Sequence, residues 1–159
     1  MSKELEQARR LYKTGSEETK ATLEEVFGKE ALQVTDWKDI KTLADACAAT
    51  GVNINALESM VPIDMPKWLV NSLQKVAKVM VINKALNGEW TPDYHNKDQR
   101  KHRPWFISSP GRGLVFFVVH CDGTFTNVGP RLVLESADKA KHAASFPEYV
   151  DYINELQEK

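Results

Sequence analysis

The chain has 159 residues, of which 42% are hydrophobic and 27% charged, and this composition is typical of a folded protein rather than a disordered one. The length predicts one domain whose core needs no disulfide or metal. The polar N-terminus predicts no signal peptide, and no apolar run approaches the roughly 18 residues of a membrane-spanning helix. Two cysteines without metal-ligand spacing, Cys47 and Cys121, indicate a reducing, cytoplasmic setting.

The net charge of −1 hides a strong asymmetry along the chain. Residues 1–64 carry 8 basic and 12 acidic side chains, residues 65–113 carry 9 and 3, and residues 114–159 carry 4 and 7. We therefore expect a single domain over 1–159, with an acidic helical part (1–64) and a part that contains a helix, a sheet and C-terminal helices (65–159). A basic middle between acidic ends can attract a polyanion locally.

The first third of the chain predicts three helices. They begin at the capping residues Ser2, Ser16 and Asp36 and end at Gly15, Gly28 and Gly51. Trp37 lies on the apolar stripe of the third helix and is predicted to be buried. A fourth helix, Pro66–Leu86, has a wide apolar face and is expected to pack on the sheet, with Trp68 in the core.

Beyond Pro92 the apolar period becomes that of strands. The predicted strands, in sheet order, are Trp105–Ser109, Leu114–Cys121 and Arg131–Glu135. Short connections make this three-stranded sheet antiparallel, and the run LVFFVV, apolar on both faces, predicts a central strand with Phe117 in the core. Trp105 and Phe106 must face opposite sides, so one should be buried and the other available at the surface. A C-terminal helix follows that is broken near Pro147. The predicted fold class is α+β.

The segment between residues 94 and 112 combines aromatic and basic side chains and is a hypothetical nucleic-acid-binding site. Its members are Lys97, Arg100, Lys101, Arg103, Arg112, Tyr94 and Trp105. The cations would neutralise phosphates, while Tyr94 or the exposed member of the Trp105/Phe106 pair stacks a base of a single strand. The ordinary alternative is a solvated loop that complements acidic neighbours, and the pI of 6.4 argues against a dedicated nucleic-acid-binding domain.

The sequence contains no recognisable catalytic motif. His120, Cys121 and Asp122 are adjacent on a strand, so neighbouring side chains point to opposite faces, and a pair of Cys121 with His102 could form only through the fold. The four histidines lack metal-ligand spacing, and the SSPGRG run lacks the lysine of a phosphate loop. We predict no catalytic residue, no metal and no cofactor. A small enzyme or ligand binder that uses the loop from Gly88 to His102, placed over the sheet, is the alternative.

Four runs of sequence resemble a family of small proteins, of no known activity, encoded by phages, prophages and mobile elements of gut anaerobic bacteria. The runs are NKALNGEWTPDY, HRPWF, GLVFFVV and NVGPRLVLESADKAKHAASF. The positions that match the family pattern are Lys13–Gly15, Lys84–Trp90, Arg103–Phe106 and Gly129–Ser136. The chain departs from that pattern at Pro130 and Pro147, which makes a single long C-terminal helix doubtful.

The resemblance implies a location in the bacterial cytoplasm or the virion and supplies no catalytic residue. Together with this resemblance, the leading prediction is a non-enzymatic protein that acts through a protein partner or through self-association. We expect a virion-associated role and no interaction with a membrane. Binding of single-stranded nucleic acid through the basic segment is the alternative.

Overall fold

The computed structural model describes residues 4, 7–8, 11–12, 15–32, 36–59, 64–123 and 130–155. The fold is α+β, as predicted. The chain divides into two compact units, residues 1–36 and 37–159. This boundary lies before residue 64, where the charge pattern changes, so the predicted acidic part is divided: residues 1–36 form the first unit and residues 37–64 belong to the second.

The first unit contains α1 (Glu17–Phe27) and α2 (Lys29–Leu32). Helix α1 begins after Ser16, whose hydroxyl accepts a hydrogen bond from a backbone amide at 3.4 Å, and its first turn is acidic. It ends at Gly28, whose φ of 78° favours glycine. This helix is confirmed as predicted, because capping and the helix dipole act locally. The predicted cap Ser2 lies outside the described residues.

The second unit begins with short helices instead of the single helix predicted from Asp36. They are a 3₁₀ helix (Trp37–Asp39) and α3 (Leu43–Thr50), and a separate short helix, α4 (Ile54–Glu58), follows beyond Gly51. The Thr42 hydroxyl accepts from the amide of Asp45 at 3.1 Å, and the Asp45 carboxylate accepts from the amide of Thr42 at 2.9 Å. This capping box starts a new helix at Leu43, so the continuous helix was a wrong prediction. Hydrogen bonds to the carboxylate, from the Thr42 side chain first and then from the backbone amide of Lys41, lower the pKa of Asp45.

The long helix α5 (Lys67–Asn87) confirms the predicted helix but not its predicted neighbour. It packs mainly on α3 and on the C-terminal helix α7 (Pro147–Glu155), not on the sheet. Trp68 is 66% exposed, which contradicts its assignment to the core. It lies on the same side of the helix as buried Val79, eleven residues on, but in the first turn, where it is left uncovered.

The sheet is a two-stranded antiparallel hairpin of β1 (Lys101–Ser109) and β2 (Gly113–Asp122). The register pairs Trp105 with Val118 and Phe106 with Phe116, so Phe117 has no opposite residue and forms a β-bulge. Phe117 is 61% exposed, and its predicted place in the core is wrong.

The predicted third strand, Arg131–Glu135, is not formed. Pro130–Leu132 is a 3₁₀ helix, and only Leu134 pairs with the sheet, through one bridge to His102 of β1. Pro130 has no amide hydrogen to give to a ladder. The side chain of Asn87 on α5 also donates to the carbonyl of Val133 at 2.8 Å and accepts from the amide of Glu135 at 3.0 Å. These backbone groups are therefore satisfied by a helix, and β2 is not the central strand.

The core of the second unit lies between the helices and the inner face of the hairpin. Its buried members include Ile40, Leu43, Ala46, Cys47, Leu57, Val79, Ile82, Leu86, Leu134, Ala140, Ala143, Phe146 and Tyr149. Phe106 packs against it and stacks on Tyr149, with ring centroids 6.5 Å apart, and Trp37 also packs against it. Phe106 is therefore the inward member of the Trp105/Phe106 pair, as the strand alternation requires.

The C-terminal helix is broken near Pro147, as predicted. Helix α6 (Ala137–Ala143) begins after Ser136, whose hydroxyl accepts from the amide of Lys139 at 3.3 Å. Helix α7 starts at Pro147, where a missing amide hydrogen costs nothing. Both helices pack against the hairpin.

Candidate interaction surface

The basic segment is divided between three parts of the second unit. Lys97 and Arg100 lie in the loop that leads to β1, and Arg112 lies in the hairpin turn. These three side chains are exposed, and none has an ion-pair partner within the described part of the chain. They are the members of the segment whose charge is open to an external ligand.

Lys101 is 0% exposed and bound inside the protein. Its ammonium donates to the backbone carbonyl of Asp93 and, at 3.0 Å, to that of Asn96. It also lies 5.2 Å from the ring centroid of Tyr94. Of the three donors of the ammonium, two bind the carbonyls, and the ring face provides a cation–π contact for the charge. Lys101 therefore ties the preceding loop to β1, and neither its charge nor the face of Tyr94 beneath it is directed to a ligand.

Arg103 is also buried and has its charge balanced locally. Its Nη1 lies 2.5 Å from Oδ2 of Asp122, and its Nη2 lies 3.1 Å from Nδ1 of His120. Its guanidinium carbon stands 5.8 Å from the ring centroid of Trp105. The hairpin therefore carries a compact Arg103–Asp122 pair beside an exposed tryptophan, instead of an unpaired cation.

The outer face of the hairpin presents four apolar side chains, here named the hairpin patch: Trp105, Ile107, Val115 and Val118. The register sets Trp105 opposite Val118 and Ile107 opposite Val115, and residues opposite each other share a face. Trp105, Ile107 and Val118 are 42%, 41% and 45% exposed. Trp105 is thus exposed as the strand alternation required, but as part of an apolar surface that the sequence prediction missed.

Strand β2 is also the open edge of the sheet. Beta1 has β2 on one side and the Leu134 bridge on the other, whereas β2 has no second strand beside it among the described residues. Strand β2 contains neither proline nor lysine, the residues that commonly protect an edge from pairing. The run LVFFVV is apolar on both faces, which fits an edge strand as well as the predicted central strand. An edge strand of this kind can cover a core with one face and a partner with the other.

The register places Cys121 directly opposite His102, the pairing that sequence analysis had left to the fold. No hydrogen bond joins the two side chains, although Nδ1 of His102 is buried without a partner among the residues that the structure describes. Across the described ranges, no three His, Cys, Asp or Glu side chains are grouped to hold a metal ion. Nor is any described helix long and apolar enough to cross a membrane. These residues do not define a reaction.

A second feature of this unit is a cleft of about 680 Å³ on the α5 side. Its walls come from α3, α4, α5, the loop after α5 and the 3₁₀ helix at Arg131. The sequence had suggested that the loop from Gly88 would cover the sheet. Its first part, with Trp90 and Pro92, instead lines this cleft beside α5.

No family model matches the chain, and no curated protein or solved structure matches it either. The phage or mobile-element setting that the resemblance implies therefore stays a prediction, and the function rests on the surfaces described above.

Proposed function

We propose that this is a non-enzymatic interaction protein that self-associates through β2 and the hairpin patch. The single observation that carries the proposal is an apolar, exposed outer face on a hairpin whose β2 has no second strand beside it in the described part of the chain. The largest exposed apolar patch of a folded protein is often a functional surface. The predicted phage setting and virion-associated role belong to this proposal.

The area of the surface suits a second copy of the chain. At the exposed fractions of Trp105, Ile107, Val118 and Phe117, these side chains present roughly 400 Å². Each partner of a standard interface buries roughly 800 Å². Phe117 and Val118 lie on β2 and would be buried directly with its backbone edge and flanking residues, while Trp105 and Ile107 on β1 would continue the apolar face of the paired hairpins.

The charges at the two ends of β2 favour self-pairing. Antiparallel pairing of two β2 strands about a two-fold axis at Phe117 sets Arg112 of one copy opposite Asp122 of the other. Oδ2 of Asp122 faces Arg103 of its own hairpin. We therefore assign the contact with Arg112 of the other copy to Oδ1 of Asp122. The β-bulge at Phe117 lies on the axis, so the regular hydrogen bonds form on either side of it. The two strands would extend the two hairpins into one four-stranded sheet.

Light scattering coupled to size-exclusion chromatography, over a range of protein concentrations, tests this proposal. We expect the parent protein to form a dimer and Phe117→Lys to shift it to a monomer. Trp68→Lys is the matched control, because Trp68 is an equally exposed aromatic residue (66% against 61%) away from the hairpin. A parent that stays monomeric at the highest concentration, or a Phe117→Lys dimer as stable as the parent, would overturn the proposal.

A second candidate, binding of single-stranded nucleic acid, is favoured by the exposure of Lys97, Arg100 and Arg112. Each phosphate contact contributes about 0.7 to the log–log dependence of affinity on salt. Three open cations predict a slope near 2, whereas all five cations of the segment would predict about 3.5. Fluorescence anisotropy with a labelled oligonucleotide measures this slope, and no binding by the parent at about 50 mM salt would exclude this function.

A further inference from the structure

The cleft on the α5 side has the size and wall chemistry of a small-molecule site. Its volume of about 680 Å³ falls within the roughly 300–1,000 Å³ typical of ligand pockets. The apolar wall consists of Val52, Leu57, Ala77, Met80, Val81 and Trp90. Met80 and Trp90 add a polarizable sulfur and a broad ring, which suit an aromatic or aliphatic ligand body.

The neutral amide and hydroxyl side chains of the cleft already have partners within the protein, and that of Thr91 donates to the carbonyl of Glu89 at 3.5 Å. The Asn87 amide serves Val133 and Glu135, and the Thr50 hydroxyl donates to the carbonyls of Ala46 and Cys47. These groups maintain the fold and have little capacity left for a ligand.

The charged groups of the cleft are both cations. The Lys84 ammonium donates to the carbonyl of Gly88 at 2.6 Å and keeps further donors, since an ammonium has three. The Arg131 guanidinium has no partner in the part of the chain that the structure describes, and no described acidic side chain lines the cleft. An apolar cleft with a cationic rim is complementary to a ligand that combines an apolar body with an anionic group.

We propose that the cleft binds an amphipathic organic anion, with its apolar body against Trp90 and Met80 and its carboxylate or sulfonate at Arg131 and Lys84. This site is separate from the hairpin patch, so the two proposals can fail independently. The arginine provides a forked pair of donors for the head group, and the lysine provides a point charge beside it.

The probe is 8-anilinonaphthalene-1-sulfonate, whose fluorescence rises in an apolar site and which carries one sulfonate. We expect saturable binding that weakens about tenfold in Arg131→Gln, a loss of about 1.4 kcal/mol. Lys67→Gln, the same change of charge on an exposed lysine at the start of α5 outside the cleft, should bind as the parent does. Because the dye also adheres to exposed apolar surfaces, the measurement is repeated in Phe117→Lys, where cleft binding should persist.

Competition distinguishes the head group from the tail. Dodecanoate should displace the dye at concentrations about tenfold lower than dodecanol, which has the same tail without the charge. Ala77→Trp, which fills the cleft, should abolish binding in a folded protein, as judged by its thermal melt. If the dye binds equally to the parent and Arg131→Gln, or if binding is lost with Phe117→Lys, the proposal is overturned. Arg131 is exposed, so Arg131→Gln is expected to fold and keeps the test decisive.

Discussion

Replacement of Lys101 by methionine separates a structural lysine from a ligand-binding one. The methionine keeps most of the apolar stem but removes the ammonium, so the carbonyls of Asp93 and Asn96 lose their donor in a buried place. Hydrogen bonds from a charged group each contribute about 1.5–3 kcal/mol. Two of them, at the lower end of that range, predict a loss of about 3 kcal/mol in the free energy of unfolding. For a chain of this length that corresponds to a melting temperature about 6–12 °C lower.

Differential scanning calorimetry of the parent, Lys101→Met and Arg100→Met measures this effect. Arg100 is the adjacent, exposed cation, and its replacement should change stability by less than about 0.5 kcal/mol. Hydrogen exchange should also accelerate in the loop between Gly88 and Arg100 of Lys101→Met, because the ammonium ties that loop to β1. A Lys101→Met protein that melts with the parent but loses oligonucleotide binding would refute this reasoning and return Lys101 to the phosphate-binding set.

Three further predictions concern buried and exposed groups of the helices. Burial raises the pKa of the Tyr149 hydroxyl, which donates to Asn83 Oδ1; Tyr149→Phe should cost about 1–3 kcal/mol in chemical denaturation. The raised pKa also predicts that parent stability falls as the pH rises past the usual value of 10.0, a loss absent from Tyr149→Phe. Hydrogen bonds, from Lys75 first, lower the pKa of Glu155. The ionised carboxylate therefore contributes to the free energy of unfolding above the usual pKa of 4.5, and this contribution is lost as the pH falls through the lowered pKa. Glu155→Gln should therefore melt below the parent at neutral pH, with a difference that narrows in acid. Trp68→Ala should change stability by less than about 0.5 kcal/mol in a thermal melt, not by the roughly 3–5 kcal/mol of a core tryptophan.

The features that the sequence predicted correctly depend on neighbours close along the chain. The ends of α1 and α5 follow from caps, glycines and a sustained apolar period, all of which act within a few residues. The break before Pro147 follows from the missing amide hydrogen of proline. The hairpin follows from a short glycine-rich turn between two β-rich runs, and the alternation along a strand settled that only one of Trp105 and Phe106 could face the core.

Only the tertiary structure decided what covers each element, because that depends on residues far apart in the chain. The apolar period identified the side of α5 that faces the core and on which Trp68 lies. It did not show how far along the helix the elements that cover this side extend, and they leave Trp68 exposed. The Arg131–Glu135 run has strand composition, but Asn87, more than forty residues earlier, takes its backbone hydrogen bonds. The same limit applies to the surfaces: charge along the sequence grouped Lys101 with Arg100, whereas burial makes one a tie within the fold and leaves the other in solvent. The sequence by itself determined the local elements, and the long-range contacts decided which apolar and charged side chains remain available to a partner.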